Sequence, residues 1–212
     1  MDLAKEVPES ANLYGVDIFG GNFPKSPPPN VHFNVNSVTK LPDEWSDTFD
    51  FVHERVLGMG LLSDEWPSAV REMYRVTKPG GSIQLCEHVA QAKNLGPAWA
   101  RGLALLDEVM TKRGLSIDCA LTLPGMLEQA GFVDVVAEKR YFPMGRAGGK
   151  VGMKAAETYS EAFHHLLYTI KEEHMNHTKQ EMEKLLADVE KEWDGPECTE
   201  GVFWIICAKK PA

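Results

Sequence analysis

Four groups of residues in the sequence could do chemistry: Asp17, Asn36 with Ser37, His53-Glu54-Arg55, and Glu87-His88. Each lies at or just beyond a short apolar run that reads as a strand. In open α/β sheets ligands bind outside the carboxyl ends of the strands, so these are the positions to interrogate. Asp17 closes the run Leu13-Tyr14-Gly15-Val16. A carboxylate there can accept both hydroxyls of a ribose; the plainer alternative is a turn aspartate that caps its own loop. Glu54-Arg55 and Glu87-His88 bring charge to points where a strand emerges. An acid beside an imidazole raises its pKa toward neutrality, which makes a general base. The alternative for both pairs is a surface ion pair.

Other clusters point less sharply. His164, His165, His174 and His177 fall on a late helical stretch, where a hydrated face accounts for them as well as a metal site does. The loop Gly145-Arg146-Ala147-Gly148-Gly149-Lys150-Val151-Gly152 looks like a phosphate cradle. It has Val151 where a hydroxyl residue would ligate Mg²⁺, so it reads as a connector. Cys86, Cys119, Cys198 and Cys207 lack the paired spacing of a zinc site, and free thiols are expected. Neither G-x-S-x-G nor H-E-x-x-H occurs, which removes two common hydrolase signatures. Trp45, Trp66, Trp99, Tyr141, Tyr159, Phe163 and Tyr168 should be mostly core, a few of them lining an apolar pocket.

The elements that must position these residues alternate. Residues 1–7 read as a helix with no cap before it. Strands are expected at 11–18, 31–35 and 47–53, with a loop over 19–30 rich in Gly and Pro. A helix capped by Asp64 runs to Lys78, and Pro79-Gly80-Gly81 turns into a strand over 82–86. Helices follow at 97–112 and 123–130, the latter closed by Gly131. A strand over 132–141 leads into a helical region at 154–193. It splits at Thr178, which stands three residues before Glu181 in capping-box spacing. A last strand covers 201–209. This order predicts an α/β fold: a twisted, mostly parallel sheet with helices on both faces and an antiparallel last strand.

The chain has 212 residues, which suits one domain over 1–212, with 154–193 as a helical insertion. Lys plus Arg is 22 against 31 for Asp plus Glu, a net charge of −9 that argues against a nucleic-acid partner. No apolar run is long enough to span a membrane. With no secretory leader read at the start, a reducing, cytoplasmic setting is expected.

Taken together, these segments resemble the Rossmann-like class I S-adenosylmethionine (SAM) methyltransferases, and more narrowly the fungal branch serving secondary metabolism. The resemblance rests on Leu13-Tyr14-Gly15-Val16-Asp17-Ile18, Val31-His32-Phe33-Asn34-Val35 and Phe49-Asp50-Phe51-Val52-His53-Glu54-Arg55. Its most specific part runs from Trp66-Pro67 through Arg71-Glu72-Met73-Tyr74-Arg75-Val76-Thr77-Lys78 to Pro79-Gly80-Gly81, and Leu127-Glu128-Gln129-Ala130-Gly131-Phe132 extends it. The resemblance implies SAM as cofactor and methyl transfer to a small-molecule acceptor. Asp17 would bind the ribose. Asn36 and Ser37 would stand at the adenine, where the family has an acid, and His53 would border the methionine end. Arg55 and Glu87 would face substrate. His88, or Glu54, would be the base, and residues 154–193 would cover the substrate. The family's first strand and its Gly-rich turn have no counterpart here. The missing strand is the central one, so its neighbours should be left unpaired unless a second copy or a partner chain completes the sheet. An alternative function follows from that gap: a methyltransferase-fold subunit, regulator or cyclase-like scaffold that does not methylate.

Overall fold

The structure, a computed structural model, describes residues 3–8, 10–169 and 178–212, without the side chains of 3 and 166–169. Met1, Asp2, His174 and His177 lie outside the described residues, and so does the Tyr168 side chain. The helix at the start is short, α1 (Leu3–Glu6).

Strands β1 (Leu13–Asp17) and β2 (Val31–Val35) pair in parallel, Leu13 opposite Val31 and Asp17 opposite Val35. A second sheet has the order β3 (Phe49–Arg55), β4 (Thr77–Lys93), β6 (Glu200–Lys209), β5 (Val133–Pro143). In it β3 and β4 run parallel, while β6 is antiparallel to both β4 and β5. The antiparallel last strand is as expected from the sequence.

Among the described residues no strand joins β1 to β3, so a gap falls where the resemblance implies a central strand. Unpaired backbone groups buried there would cost roughly 1–3 kcal/mol each. That cost is avoided by exposure: Tyr14, Val16 and Asp17 of β1 face solvent. The gap is bridged by side chains instead. The Tyr14 ring meets Trp45 at 5.6 Å and Phe49 at 5.4 Å, both edge-on.

β4 organises the rest. Its residues alternate, with Ile83, Leu85, Glu87 and Val89 buried and Ser82, Gln84, Cys86 and His88 half-buried, as a strand with two unequal faces requires. The buried face packs on α2 (Trp66–Val76) and α4 (Leu123–Ala130) through Val70, Met73, Leu123 and Leu127. Gly131 closes α4 at φ 105°, the left-handed cap read from the sequence. The turn expected at Pro79-Gly80-Gly81 is absorbed into β4. The pairing with β3 shifts there, from Phe49 opposite Thr77 to Phe51 opposite Ser82.

A second layer stands at the carboxyl end of β4. It is built from α3 (Pro97–Lys112), α5 (Gly149–Thr169) and α6 (Lys179–Trp193) around Trp99, Phe163, Leu186, Val189 and Trp193. The Thr178–Glu181 capping box starts α6, so the helical region divides where the spacing predicts. No described helix is long and apolar enough to cross a membrane.

Candidate active site

Strand parity decides where the chemistry-bearing residues point. β3 runs to Arg55 and β4 to Lys93, so His53, Glu54, Arg55, Glu87 and His88 lie within strands, not beyond them. β4 is long because β6 follows it, pairing Ala92 with Gly201 and Lys93 with Glu200. On β3 the even residue Glu54 turns into the core, whereas Phe51, His53 and Arg55 share the other, exposed face. The three were expected just beyond the strand; they lie within it instead, with Glu54 turned away from His53 and Arg55.

Glu54 and Glu87 come together in the interior, 7% and 2% exposed. Both serve the loop that follows β3. The Leu57 N–H donates to Oε1 of Glu54 at 2.9 Å and also to Oε1 of Glu87, and the Gly58 N–H donates to the same Glu87 oxygen at 3.0 Å. Gly58 is needed for that approach, since a Cβ there would lie 2.6 Å from the Cys119 sulfur and 3.2 Å from Oε2 of Glu87. Burial, then the neighbouring Glu87, pushes the Glu54 carboxyl up to about 10, with the Leu57 N–H opposing. A carboxyl held that high favours its protonated form, and Glu54 is not among the residues lining the cavity, so the geometry gives no support to Glu54 as the base.

His88 occupies the opposite face of β4. Its ring packs on Phe203, with centroids 3.8 Å apart, and its Nδ1 lies 2.7 Å from the Tyr159 hydroxyl of α5. Burial holds the imidazole down at about 4 and raises the Tyr159 phenol. The acid that should have raised the imidazole is Glu87, which points to the other face. His88 is therefore neutral near pH 7 and less basic than a free imidazole.

Glu87, His88 and Tyr159 line a cavity of about 190 Å³ between the end of β4 and the helical layer. Trp99, Phe163 and Met144 supply apolar wall, and Lys, Arg and Asp are absent from the described lining residues. Arg55 is exposed and is not among the cavity residues, so its assignment to substrate has no support in the geometry.

The residues expected at the cofactor's nucleotide lie apart from this cavity. Asp17 is exposed at the end of β1, where its Oδ1 accepts the Phe19 N–H at 2.8 Å and its carbonyl accepts the Asn36 N–H at 3.0 Å. Asp17 and Asn36 are thus adjacent across the β1–β2 ends. The Ser37 hydroxyl is tied to Thr39, 2.7 Å from Oγ1 and 3.2 Å from the backbone N, in a local turn. His53 stacks on Phe51 at 6.3 Å in mid-strand, its pKa lowered by burial and by Arg55.

Sequence reasoning missed the Leu57 and Gly58 amides, since backbone donors have no side-chain signal. Trp99, Tyr159 and Phe163 were among the aromatics of which a few were expected at an apolar pocket, and all three line the cavity, but nothing in their spacing tied Tyr159 to His88 across 71 residues. The glycine loop at 145–152 is no phosphate cradle: it is pinned, with the Gly145 N–H donating to the Gly152 carbonyl and the Arg146 N–H to Asp194. Among the described residues no group of three or more His, Cys, Asp or Glu is arranged to hold a metal.

Comparison with known proteins adds to this geometry. Residues 2–85 match a family model described as a methyltransferase domain. The chain is 33% identical over 141 residues to the N-methyltransferase sirN of Leptosphaeria maculans, covering 65% of this chain and 50% of that protein. It is 31% identical over 182 residues to the N-methyltransferase tcpN of Claviceps purpurea, covering 81% of this chain and 63% of that one. The chain thus spans about half to just under two thirds of these relatives' lengths. Among solved structures, the phosphoethanolamine N-methyltransferase 2 of Haemonchus contortus, with S-adenosylhomocysteine bound, aligns over all of this chain and 46% of its own. Its TM-score is 0.56 at 14% identity, a likeness of fold.

Proposed function

Because the chain belongs to the class I SAM-dependent methyltransferases, we propose that it takes part in moving a methyl group from SAM to a nitrogen of a small acceptor held in the apolar cavity. The observation that carries this reading is the juxtaposition of that cavity with Glu87 and His88 at the carboxyl end of β4. Relatives named N-methyltransferases support nitrogen as the target.

The residues fit the ribose end of SAM. Asp17 is exposed at a strand end, and its Oδ2 takes no hydrogen bond among the described residues, which leaves it free for a ribose hydroxyl. Asn36 adjoins it at the adenine side, while Ser37 is occupied by its own turn. When bound, SAM supplies an electrophilic methyl group. The chain's part is to exclude water and to orient the acceptor, since displacement in line depends on positioning. Glu87 is the acidic side chain at the cavity wall, and that position is what supports it as the group that takes the proton the acceptor nitrogen loses.

The open edges of β1 and β3 support a further part of this reading: another strand closes the sheet, supplied by a second copy, a partner chain or a longer form of this chain. The same reading takes 1–212 as one domain with α5 and α6 as its substrate cover. Four free thiols suit a reducing, cytoplasmic compartment.

Calorimetric titration of the 212-residue chain with S-adenosylhomocysteine tests the cofactor assignment. Micromolar binding that weakens at least tenfold in Asp17→Ala is expected. No heat at millimolar ligand would overturn it for this chain.

A further inference from the structure

The proton inventory of one buried pair reaches further. Tyr159 carries a phenolic proton that needs an acceptor, because a buried hydroxyl left without one costs stability. Among the described residues its hydroxyl has two neighbours within hydrogen-bond distance, both on His88: Nδ1 at 2.7 Å and Nε2 at 3.5 Å. The shorter contact is the bond. For the phenol to donate there, Nδ1 must be unprotonated, and a neutral imidazole then carries its hydrogen on Nε2. The reverse arrangement, Nδ1–H donating to the phenolic oxygen, would turn the phenol proton away from His88, where no described residue accepts it. His88 is neutral, as its burial against Phe203 and Phe142 requires.

We propose that Tyr159 is a positioning residue that fixes the His88 tautomer, so that His88 presents an Nε2–H donor to the cavity and selects acceptors bearing a hydrogen-bond-accepting oxygen. This rests on the reading that the cavity holds the methyl acceptor. It replaces the base expected of His88 with a donor, since a nitrogen that carries hydrogen cannot take another from the acceptor. An apolar molecule with a carbonyl oxygen and no negative charge matches the site. The walls supply Trp99, Phe163 and Met144, and the described lining offers no Lys or Arg to an anion.

The test begins with the chain alone. Long-range ¹H–¹⁵N correlation on the labelled protein at pH 7.5 should show His88 with Nε2 protonated and Nδ1 bare. A dominant Nδ1–H form, or an even mixture, would overturn the proposal. In Tyr159→Phe the preference should relax toward a mixture; an unchanged tautomer would show that Tyr159 does not set it. Binding supplies the second arm, with 1-indanone and its oxygen-free counterpart indane as ligands. The ketone should bind about tenfold more tightly, the worth of one hydrogen bond, and His88→Phe should reduce the ratio to about twofold or less. Equal affinities in the parent chain would remove the donor role. Both arms run without SAM. Failure of the S-adenosylhomocysteine titration would therefore bear on the cofactor reading, and failure here on the tautomer.

Discussion

Glu54 and Glu87 accept the same backbone N–H, that of Leu57, from two different strands. Two carboxyls sharing one donor in the interior cannot both ionise cheaply, and burial with Glu87 alongside pushes the Glu54 carboxyl up. The two residues differ accordingly in what they can do.

Replacing each by glutamine separates them. Glu87→Gln removes the acidic side chain at the cavity wall, and methyl transfer should fall by about 10²-fold or more, the usual size of a lost proton acceptor. Glu54→Gln replaces a group that is not among the cavity residues and should keep activity within a few-fold. Steady-state rates with radiolabelled SAM, on a form of the chain that turns over, read this. Equal losses in both variants would contradict the division.

Glu54 also sets a pH dependence of stability. Its carboxyl sits at about 10 when folded against an ordinary value of 4.5, so unfolding releases a proton between those limits. Its contribution is complete below pH 4.5 and is lost as pH rises. Glu54→Gln should therefore melt above the parent at pH 8, by at least about 2–4 °C for roughly 1 kcal/mol, and match it near pH 4.5. A parent that is the more stable of the two at pH 8 would refute this.

His88 gives the opposite slope. Held at about 4 against 6.5, it favours the fold above pH 6.5 and loses that contribution as pH falls toward 4. Between pH 7 and 5 the parent should lose about 1–2 kcal/mol more than His88→Gln, measured by urea unfolding. The same loss in both proteins would show that His88 titrates normally.

Two glycines should respond in opposite directions to alanine. Gly145 stands at φ 74° and ψ −167°, and a Cβ there would collide with the Trp193 carbonyl oxygen. Gly145→Ala should cost about 2 kcal/mol or more. Gly125 lies inside α4 with nothing within 4 Å of the added methyl, so Gly125→Ala should gain roughly 0.5–1 kcal/mol. Thermal melts of the two variants decide.

The β1–β2 pair, open along the gap, should exchange its amide hydrogens faster than the centre of β4. A difference of at least about 100-fold between Leu13–Asp17 and residues 83–87 is expected from hydrogen exchange. Equal protection would mean that β1 is held as firmly as the main sheet.

Much of the fold was legible because the patterns were local. Gly131 as a left-handed cap, Thr178 with Glu181 as a capping box, and the strands near 13–17 and 31–35 each follow from a few neighbouring residues. The strand ends were not legible. β3 and β4 overrun the apolar runs that announced them because their lengths are set by partners distant in sequence, above all β6. That overrun carried His53 and Arg55 away from the expected site. Ionisation states were hidden for a related reason: the upward push on Glu54 comes from burial beside Glu87, 33 residues on, and not from its sequence neighbours Arg55 and His53.

The adjacency of Glu87 and His88 on one long strand makes the site a matter of parity. Sliding β4 by a single residue against β3 and β6 would exchange them. A carboxylate would then meet the aromatic rings of Phe203 and Phe142, and an imidazole would replace it at the amides of Leu57 and Gly58. Each would be stranded without the partner it needs. The offsets in pairing at both ends of β4, near Phe51 and between His88 and Ala92, act as stops against such a slip. Irregularities that look like flaws in the ladder are thus what keeps acid and imidazole on their proper sides.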